Sequence, residues 1–532
     1  MQTSNMIKFA VTRPPVRGKA IMDNVNLLNW AQDPYLKEFG MTIDPRMTPV
    51  PARVLQNPEI QFGNGKHNPG TSGRWDLRGK KFMVPAIRPI SRWAIVVIDR
   101  CIDQNMATKF ARAFCEAYRN HGGRIEGPPY VTSVRYHGAM GVNLSNMFQD
   151  IQDKLKGPPD FVMVVLTDKL QFVYERLKRS FEVRWAIITQ MLQRAHVMKC
   201  QPQYCSNVAM KVNAKFGGST TRIPSAGTGS AFFNAPTMMI GVDLSHGSPG
   251  VMTPSIAAMT ISMDKDAATY AGSCQTNGYR VEIVQPGVFR SMFTPNLQKW
   301  CEKMKVPPKH VFYLRDGVAE GQFAQVMEYE IDELRKCLQK VTGTTPKITV
   351  IVATKRHNIR FFPQSGADKN GNALPGTLVE REVTHPFHYD FYICSHVAIQ
   401  GTARPVHYHV IHDEVKMKAD DLQKMIYHQC YQYVRSTTPV SLHPAVYYAH
   451  LVSSRAHCHE ATPASKQDPM MSRAKIESEA KALLSKSDMP GYEPDRTTDM
   501  RGQDSLPLLR INSDGEATPA NTEWFKSTMW YI

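Results

Sequence analysis

The chain has 532 residues, and its 64 lysines and arginines against 47 aspartates and glutamates give a net charge of +17. With 42% hydrophobic residues it is not disordered throughout. It has no apolar run near the roughly 20 residues that span a bilayer and no signal-peptide core, so we predict a cytoplasmic protein without membrane insertion. The charge favours a polyanionic partner, but does not separate nucleic acid from acidic proteins.

The predicted elements begin after an irregular N-terminal segment. Residues 1–80 are rich in proline and glycine, which is typical of a linker that wraps a domain. Beyond it, apolar runs alternate with amphipathic stretches: strands are predicted over 93–99, 161–166 and 184–188, and helices over 104–120, 172–181 and 206–215. Strands that alternate with helices predict a parallel or mostly parallel α/β sheet.

A Ser/Thr/Gly-rich stretch over 218–229 separates this unit from a second α/β unit. Its predicted strands are 237–242, 256–263, 311–314, 348–353, 388–394 and 407–412, and its predicted helices 296–304, 322–339, 419–434 and 444–457. The polar segment from about 460 to 521 predicts a long, mobile loop. The apolar residues 524–525 and 530–532 are expected to pack back onto the fold.

Two aspartates follow predicted strands of the second unit. Asp243 ends the strand 237–242, and Asp316 ends the strand 311–314. Ligands of open α/β sheets gather at the carboxyl ends of strands, so the two carboxylates can converge. Hard divalent cations prefer such oxygen ligands, and two of them can support phosphodiester hydrolysis. An aspartate after a strand is also a common turn former or helix cap, so the spacing alone leaves both interpretations open.

Several histidines are candidate ligands with weaker support. His450 lies in an amphipathic helical stretch, where a lone histidine is more often a partly buried structural residue. His407 and His409 share one strand face, but we expect no carboxylate beside them and interpret them as structural. His196, Cys200 and Cys205 lack a fourth ligand at zinc-site spacing, so we interpret the ten cysteines as reduced thiols.

Lysines recur at helical spacing in the first unit. Tyr174 and Lys178 lie four residues apart on one predicted helix, and Lys211 and Lys215 share the face of another. With Gln190 they could surround a phosphate, and the tyrosine could stack on a base. Without further information, a solvated lysine face is the simpler interpretation.

The motifs together resemble the C-terminal half of a eukaryotic Argonaute, over nearly the whole chain. The segments similar to the family's second linker are DPYLKEFG (33–40), RVLQ (53–56) and WDLR (75–78). The most specific motifs are RDGVAEGQF (315–323), DFYICSH (390–396), QGTARP (400–405), HYHV (407–410) and YYAHLV (447–452). The resemblance implies a linker over 1–80, a Rossmann-like MID domain over 81–228 and an RNase H-like PIWI domain over 229–532.

By match to the family pattern, Asp243, Asp316 and His450 are the metal-binding catalytic triad, and Glu282 is the glutamate that completes it. The resemblance implies an endoribonuclease that cuts RNA paired to a guide, using Mg²⁺ or Mn²⁺, with two ions expected. His450 is expected to act as a neutral ligand, so cleavage should fail at low pH. The alternative function is a non-slicing guide-binding module that silences by recruiting partners.

The same match assigns the guide 5′ end to the first unit. Tyr174 is expected to stack on the first base, while Lys178, Gln190, Lys211, Lys215 and Arg455 hold its 5′-phosphate. The loop 167–172 is about one residue longer than in animal relatives, which leaves the base preference open. Expected partners are guide RNA, complementary target RNA and glycine-tryptophan-rich silencing proteins. Family members carry N-terminal and PAZ domains ahead of this region; we expect this chain to lack them, and the guide 3′ end to be anchored elsewhere.

Overall fold

The computed structural model describes residues 6, 11–136, 140–167, 171–224, 235–247, 253–460, 505, 507–512 and 515–532. Among these, no helix is both long and apolar enough to cross a membrane. Residues 168–170 of the predicted base-selective loop 167–172, and most of the predicted mobile loop 460–521, lie outside the described residues.

The N-terminal segment has little core of its own. It holds helix α1 (Pro14–Val25), the short helix α2 (Pro34–Glu38), strand β1 (Arg53–Val54) and a hairpin of β2 (Ile60–Phe62) and β3 (Gly65–His67). Many apolar side chains here are exposed, among them Leu27 and Phe39.

The first α/β unit is a four-stranded parallel sheet with the order β5-β4-β6-β7. Its elements are β4 (Trp93–Ile98), α3 (Gln104–Asn120), β5 (Tyr130–Val134), α4 (Met140–Leu155), β6 (Phe161–Leu166), α5 (Gln171–Arg179), β7 (Ile188–Gln193), α6 (Arg194–Lys199) and α7 (Pro202–Lys215). Every residue of β4 and β6 is buried. Helices on both faces explain these continuous apolar runs.

One predicted strand of this unit is wrong. Residues Ser180–Arg184 form a π-helical turn that continues α5, and the strand begins only at Ile188. Ala186 has a φ of 50°, a left-handed conformation that a strand cannot contain. The side chain of Trp185 stacks on Phe148, with ring centroids 3.9 Å apart. Residues 185–187 therefore form a buried turn, and of the predicted strand only Ile188 belongs to β7.

The second unit is a mixed nine-stranded sheet with the order β1-β13-β14-β15-β12-β11-β8-β9-β10. Its elements are β8 (Thr237–Ser245), β9 (Ile256–Ser262), β10 (Tyr270–Thr276), α8 (Pro286–Met304), β11 (His310–Asp316), α9 (Asp332–Thr342), β12 (Lys347–Thr354), β13 (Thr377–Val379), β14 (Tyr389–Cys394), β15 (Val406–Asp413), α10 (Ala419–Gln429) and α11 (Pro444–Ala456). Strand β1 of the N-terminal segment extends this sheet by pairing with β13.

Helix α11 lies directly against β8 and β9 because Gly241 of β8 has no side chain to keep the helix away. A Cβ atom on Gly241 would lie 2.2 Å from the backbone of Ala445, so only glycine permits this approach. The helix begins at Pro444, where a missing N–H costs nothing, and the side chain of His443 caps it by accepting the Ala445 N–H. This packing fixes where the middle of α11 projects.

The C-terminal residues pack back as predicted, beyond helix α12 (Pro519–Lys526). Trp530, Tyr531 and Ile532 are each at most 5% exposed. Part of the segment predicted as a mobile loop is also packed: Leu508 and Leu509 are buried, at 3% and 4% exposure. For these residues the mobile-loop prediction is wrong, because two adjacent leucines gain more from burial than the polar neighbours lose.

Candidate functional site

Two carboxylates and a histidine meet at the carboxyl ends of β8 and β11. These strands are adjacent and parallel, with Val242 paired to Arg315, so Asp243 and Asp316 emerge side by side. From α11, the Nε2 atom of His450 lies 2.9 Å from Asp316 Oδ2 and its Nδ1 atom 3.7 Å from Asp243 Oδ2. One ligand atom from each of the three side chains lies within 4.8 Å of the others.

Burial and neighbouring charges shift the pKa values of Asp243 and His450 in this cluster. Burial, and then the neighbouring Asp316 charge, raise the pKa of Asp243 although His450 opposes them; Ser453 Oγ donates to its Oδ2 atom at 2.8 Å. Burial lowers the pKa of His450, but the contact with Asp316 and the charge of Asp243 outweigh it and raise the pKa overall. The repulsion between the two carboxylates is one that a divalent cation would relieve. Two carboxylates and an imidazole fit such a cation.

Glu282 lines the same cavity, which has a volume of about 410 Å³. Its carboxylate is held by His246, whose Nε2 lies 2.7 Å from Glu282 Oε2 while its Nδ1 contacts Ser255 Oγ at 2.7 Å. Its backbone carbonyl accepts from Arg315, a fully buried guanidinium paired with Glu330 at 3.3 Å. The structure thus brings all four sequence-predicted residues to one cavity.

Sequence reasoning missed the surroundings of this cavity. Its lining includes the basic side chains Lys355, Arg356 and Arg404, which come from loops that follow β12 and β14. It also missed His246, which lies three residues after Asp243 and lines the same cavity. Only the excess of basic residues pointed to such a rim, and it did not say which cations would form it.

A second polar cavity, of about 300 Å³, lies where the four-stranded sheet meets α11 and the C-terminus. All six residues predicted for the guide 5′ end line it: Tyr174, Lys178, Gln190, Lys211, Lys215 and Arg455. Arg455 donates to the hydroxyl of Tyr174 at 2.9 Å, across 281 positions of sequence. The lining also contains Arg435 and the C-terminal Ile532, which the sequence did not suggest.

The lysines of this cavity have unequal anchoring. Lys215 donates to Thr189 O at 2.8 Å and Gln190 Oε1 at 3.0 Å, and Lys178 donates to Thr189 Oγ1 at 2.8 Å. Lys211 has no hydrogen bond or ion pair to any of the described residues. Burial and then nearby cations lower the pKa of Lys178 to about 7 and that of Lys211 to about 8. A cavity with such crowded cations favours an anionic ligand.

Glu182 is the only carboxylate that directly pairs with these cations among the described residues. Its Oε1 atom lies 2.5 Å from Arg455 Nη1 and 3.5 Å from Lys178 Nζ, and its Oε2 atom lies 2.9 Å from His459. Burial opposes its ionisation, but Arg455 and Lys178 outweigh burial and lower the pKa of Glu182 to about 2. A single buried anion thus positions Arg455 and leaves the cavity cationic.

The lowered lysine pKa values predict that the ligand-free protein becomes more stable as the pH rises from 7 to 9. An unfolded lysine has a pKa near 10.5, so over this range the unfolded chain binds more protons than the native chain, and the free energy of unfolding rises with pH. At pH 9, about one pH unit above the native pKa of Lys211, this lysine contributes about 1 kcal/mol to the rise in the free energy of unfolding. Thermal unfolding of the wild type and of Lys211→Met at both pH values measures this contribution.

The control for this measurement is Lys199→Met, because Lys199 is exposed at the end of α6. We expect it to keep the full rise in melting temperature that the wild type shows, whereas Lys211→Met shows a smaller one. An identical rise in all three proteins would contradict a buried, charged Lys211.

Two further groups of candidate ligands have opposite outcomes. The expectation that no carboxylate accompanies His407 and His409 is wrong: Asp390 of β14 lies on the same face, and its Oδ2 atom is 2.5 Å from His407 Nε2. The register of β14 against β15 places it there, which the sequence does not reveal. His196, Cys200 and Cys205 do not form a metal-ligand group among the described residues, and the ring of His196 instead stacks on Tyr204.

Comparison with protein families gives three matches along the chain. Residues 16–62 match the Argonaute linker 2 domain, residues 70–154 the Mid domain of argonaute, and residues 161–460 the Piwi domain. The protein argonaute of Schizosaccharomyces pombe is 35% identical over 493 residues, which cover 91% of this chain and 58% of that protein. Protein argonaute 1A of Oryza sativa is 34% identical, with 89% and 46% covered. The chain spans about half the length of the curated relatives it matches.

Solved structures agree with this assignment of the fold. Kluyveromyces polysporus Argonaute with a guide RNA superposes with a TM-score of 0.78 at 23% identity, covering 100% of this chain and 62% of that one. The C-terminal lobe of a budding yeast Argonaute gives 0.74 at 23% identity, covering 91% and 95%. The fold is therefore a Rossmann-like MID domain packed against an RNase H-like PIWI domain, as the sequence predicted. The chain belongs to the Argonaute family.

Proposed function

We propose that this chain binds the 5′-phosphate of a guide RNA and cleaves complementary RNA at Asp243, Asp316, His450 and Glu282. The observation that carries the proposal is the convergence of these side chains, distant in sequence, in one cavity with a basic rim. A cationic cavity of about 300 Å³ stands apart from it and supports the guide-binding half of the proposal. We assign the linker to 1–80, the MID domain to 81–228 and the PIWI domain to 229–532.

At the guide-binding cavity, each side chain has a role that its surroundings favour. Lys211, which lacks an internal partner among the described residues, would meet a phosphate directly, while Lys178 and Lys215 would approach it from anchored positions. Arg455 lies over the ring of Tyr174, with its Cζ atom 5.7 Å from the ring centroid, and keeps that ring in place for a base to stack on. The phosphate charge would stabilise the protonated lysines.

At the cleavage centre, Asp243, Asp316 and His450 would hold Mg²⁺ or Mn²⁺, and Glu282 would complete the ligand set. When bound, such ions supply an activated water and stabilise the leaving oxygen of a phosphodiester. His246 and Arg315 act as positioning residues, since they hold the carboxylate and the backbone of Glu282. His450 and the two carboxylates must be deprotonated to hold a cation, so acid should weaken both binding and cleavage.

The proposal is tested with a 5′-phosphorylated guide, a labelled complementary RNA and Mg²⁺. We expect one discrete cut in the target, dependent on the guide and suppressed by a chelator. An intact target in the presence of a bound guide would instead support the non-slicing alternative. Glycine-tryptophan-rich partners and a cytoplasmic location concern the whole protein and stay predictions.

A further inference from the structure

A second group of metal-type ligands lies away from the cleavage centre, on the outer strands of the large sheet. Asp390 on β14 is paired with His409 on β15, and Tyr392 is paired with His407, so the acid and both imidazoles share one face. One ligand atom from each of Asp390, His407 and His409 lies within 4.8 Å of the others. None of these side chains belongs to either cavity described above.

The two imidazoles converge because aromatic neighbours hold them. The ring of His407 stacks on Tyr392 at 4.0 Å and lies 3.9 Å from the ring of His409, measured between centroids. On its other side, His409 contacts Phe323, with centroids 5.5 Å apart. Residues two apart on a strand ordinarily project in parallel, so this convergence requires packing that brings the rings together.

His409 is a buried imidazole with no hydrogen bond to any of the described residues. Its side chain is 7% exposed, and its Nδ1 atom has no hydrogen-bond partner among the described residues. Its Nε2 atom lies 3.5 Å from Glu320 Oε1 and 3.9 Å from Asp390 Oδ2, beyond ordinary hydrogen-bond length. Buried polar groups of native proteins are normally paired, so an imidazole flanked by two carboxylates indicates an absent binding partner.

Asp390 indicates the charge of that partner. Its side chain is 1% exposed, and it accepts from the His385 backbone N–H at 2.9 Å and contacts His407 at 2.5 Å. Within the described part of the chain, no lysine or arginine lies within 4 Å of this carboxylate. A buried carboxylate without a strong cation is costly, and a metal ion would neutralise it.

We propose that Asp390, His407, His409 and Glu320 form a second divalent-cation site, selective for Zn²⁺ over Mg²⁺. Two imidazoles with carboxylates suit Zn²⁺, whereas Mg²⁺ prefers sites with more oxygen ligands. Tetrahedral Zn²⁺ with bonds of about 2.0–2.2 Å keeps its ligand atoms about 3.3–3.6 Å apart. The His409–Glu320 distance of 3.5 Å already fits, and the His407–Asp390 pair must separate by about 1 Å.

The site has a structural consequence for the cleavage centre. Glu320 lies in the 3₁₀ turn Glu320–Gln322, four residues after Asp316, and its side chain is 71% exposed. A cation bound to it and to the β14–β15 pair would tie this turn to the sheet. The site shares no ligand with Asp243, Asp316 and His450, so the two can be filled separately.

Co²⁺ titration of the full chain tests the proposal, because tetrahedral Co²⁺ absorbs visible light and substitutes for Zn²⁺. The Asp243→Asn, Asp316→Asn double variant removes metal binding at the cleavage centre. In this background we expect one equivalent of Co²⁺ to bind, to be displaced by Zn²⁺ and to resist a large excess of Mg²⁺. Absence of a bound equivalent would overturn the proposal.

Matched variants in the same background locate the site. His409→Ala should weaken Co²⁺ binding by more than about 100-fold, since even groups that only orient ligands account for about 10–100-fold. His388→Ala is the control, because this exposed ring stacks on His385 and does not contact the cluster. Equal Co²⁺ binding by His409→Ala and the control would place the ion elsewhere and overturn the proposal.

A second variant guards against misfolding of His409→Ala. Glu320→Gln changes only an exposed side chain, and we expect it to fold normally and to weaken Co²⁺ binding by at least about 10-fold. Zn²⁺ should raise the melting temperature of the background protein and raise that of Glu320→Gln less. Identical Zn²⁺ shifts and Co²⁺ affinities in these two proteins would remove Glu320 from the site and overturn the four-ligand assignment.

Discussion

Replacing Asp316 with alanine is expected to lower the rate of target cleavage by more than about 100-fold while leaving guide binding unchanged. Groups that merely orient metal ligands account for about 10–100-fold, and a ligand itself should count for more. Asp316 lies 2.9 Å from His450 and next to Asp243, so its loss removes one of the three proposed metal ligands. Single-turnover cleavage of a labelled target with saturating guide and Mg²⁺ measures the effect.

The fold should survive this substitution. Asp316 raises the pKa of Asp243 by repulsion, so its removal relieves a like-charge contact. Asp332→Asn is the matched control, since it removes an equal charge from the exposed surface of α9. Cleavage by Asp316→Ala at the rate of this control would refute the assignment of the cleavage centre.

Lys211→Ala is expected to weaken binding of 5′-phosphorylated guides by about 10–100-fold and binding of 5′-hydroxyl guides much less. A hydrogen bond to a charged group is worth about 1.5–3 kcal/mol, which corresponds to this range. Lys211 has no internal hydrogen bond or ion pair among the described residues, so truncation leaves no buried anion unpaired. Equilibrium binding of both guides at one fixed salt concentration measures the difference.

Two comparisons separate a phosphate contact from general attraction to RNA. Lys199→Ala removes an exposed charge from the same unit and should weaken both guides equally and slightly. The selectivity of the wild type for the 5′-phosphate should decline as the pH rises through about 8, where Lys211 loses its proton. Equal losses for the two guides in Lys211→Ala would refute the assignment of this lysine.

The sequence predicted elements best where burial is continuous. Strands β4 and β6 are buried on both faces and read as unbroken apolar runs. Strands β5 (Tyr130–Val134) and β10 (Tyr270–Thr276) were missed, because both contain polar residues or glycine and derive their stability from neighbouring strands. The local sequence pattern indicates whether a segment is buried, whereas these two strands form because they pair with neighbouring strands.

The candidate sites divide in the same way. That Asp243 and Asp316 could converge followed from strand ends alone, because neighbouring parallel strands deliver their carboxyl ends to one edge. The approach of His450 depends on Gly241 beneath α11, and the role of His246 depends on its distance from Glu282. The partnership of Asp390 with His407 depends on the register of β14 against β15.

The net charge and the motifs by themselves determined the family, the α/β class and the residue types at both sites. Only the tertiary structure decided which charges are compensated. Glu182 orients Arg455, and Lys211 is left without an internal partner among the described residues. Within the same residues, Asp390 forms ion-pair contacts with histidines and with no lysine or arginine. The reason is physical. Residue identity fixes the charge a group can bear, whereas its energy depends on burial and on neighbours that are distant in sequence.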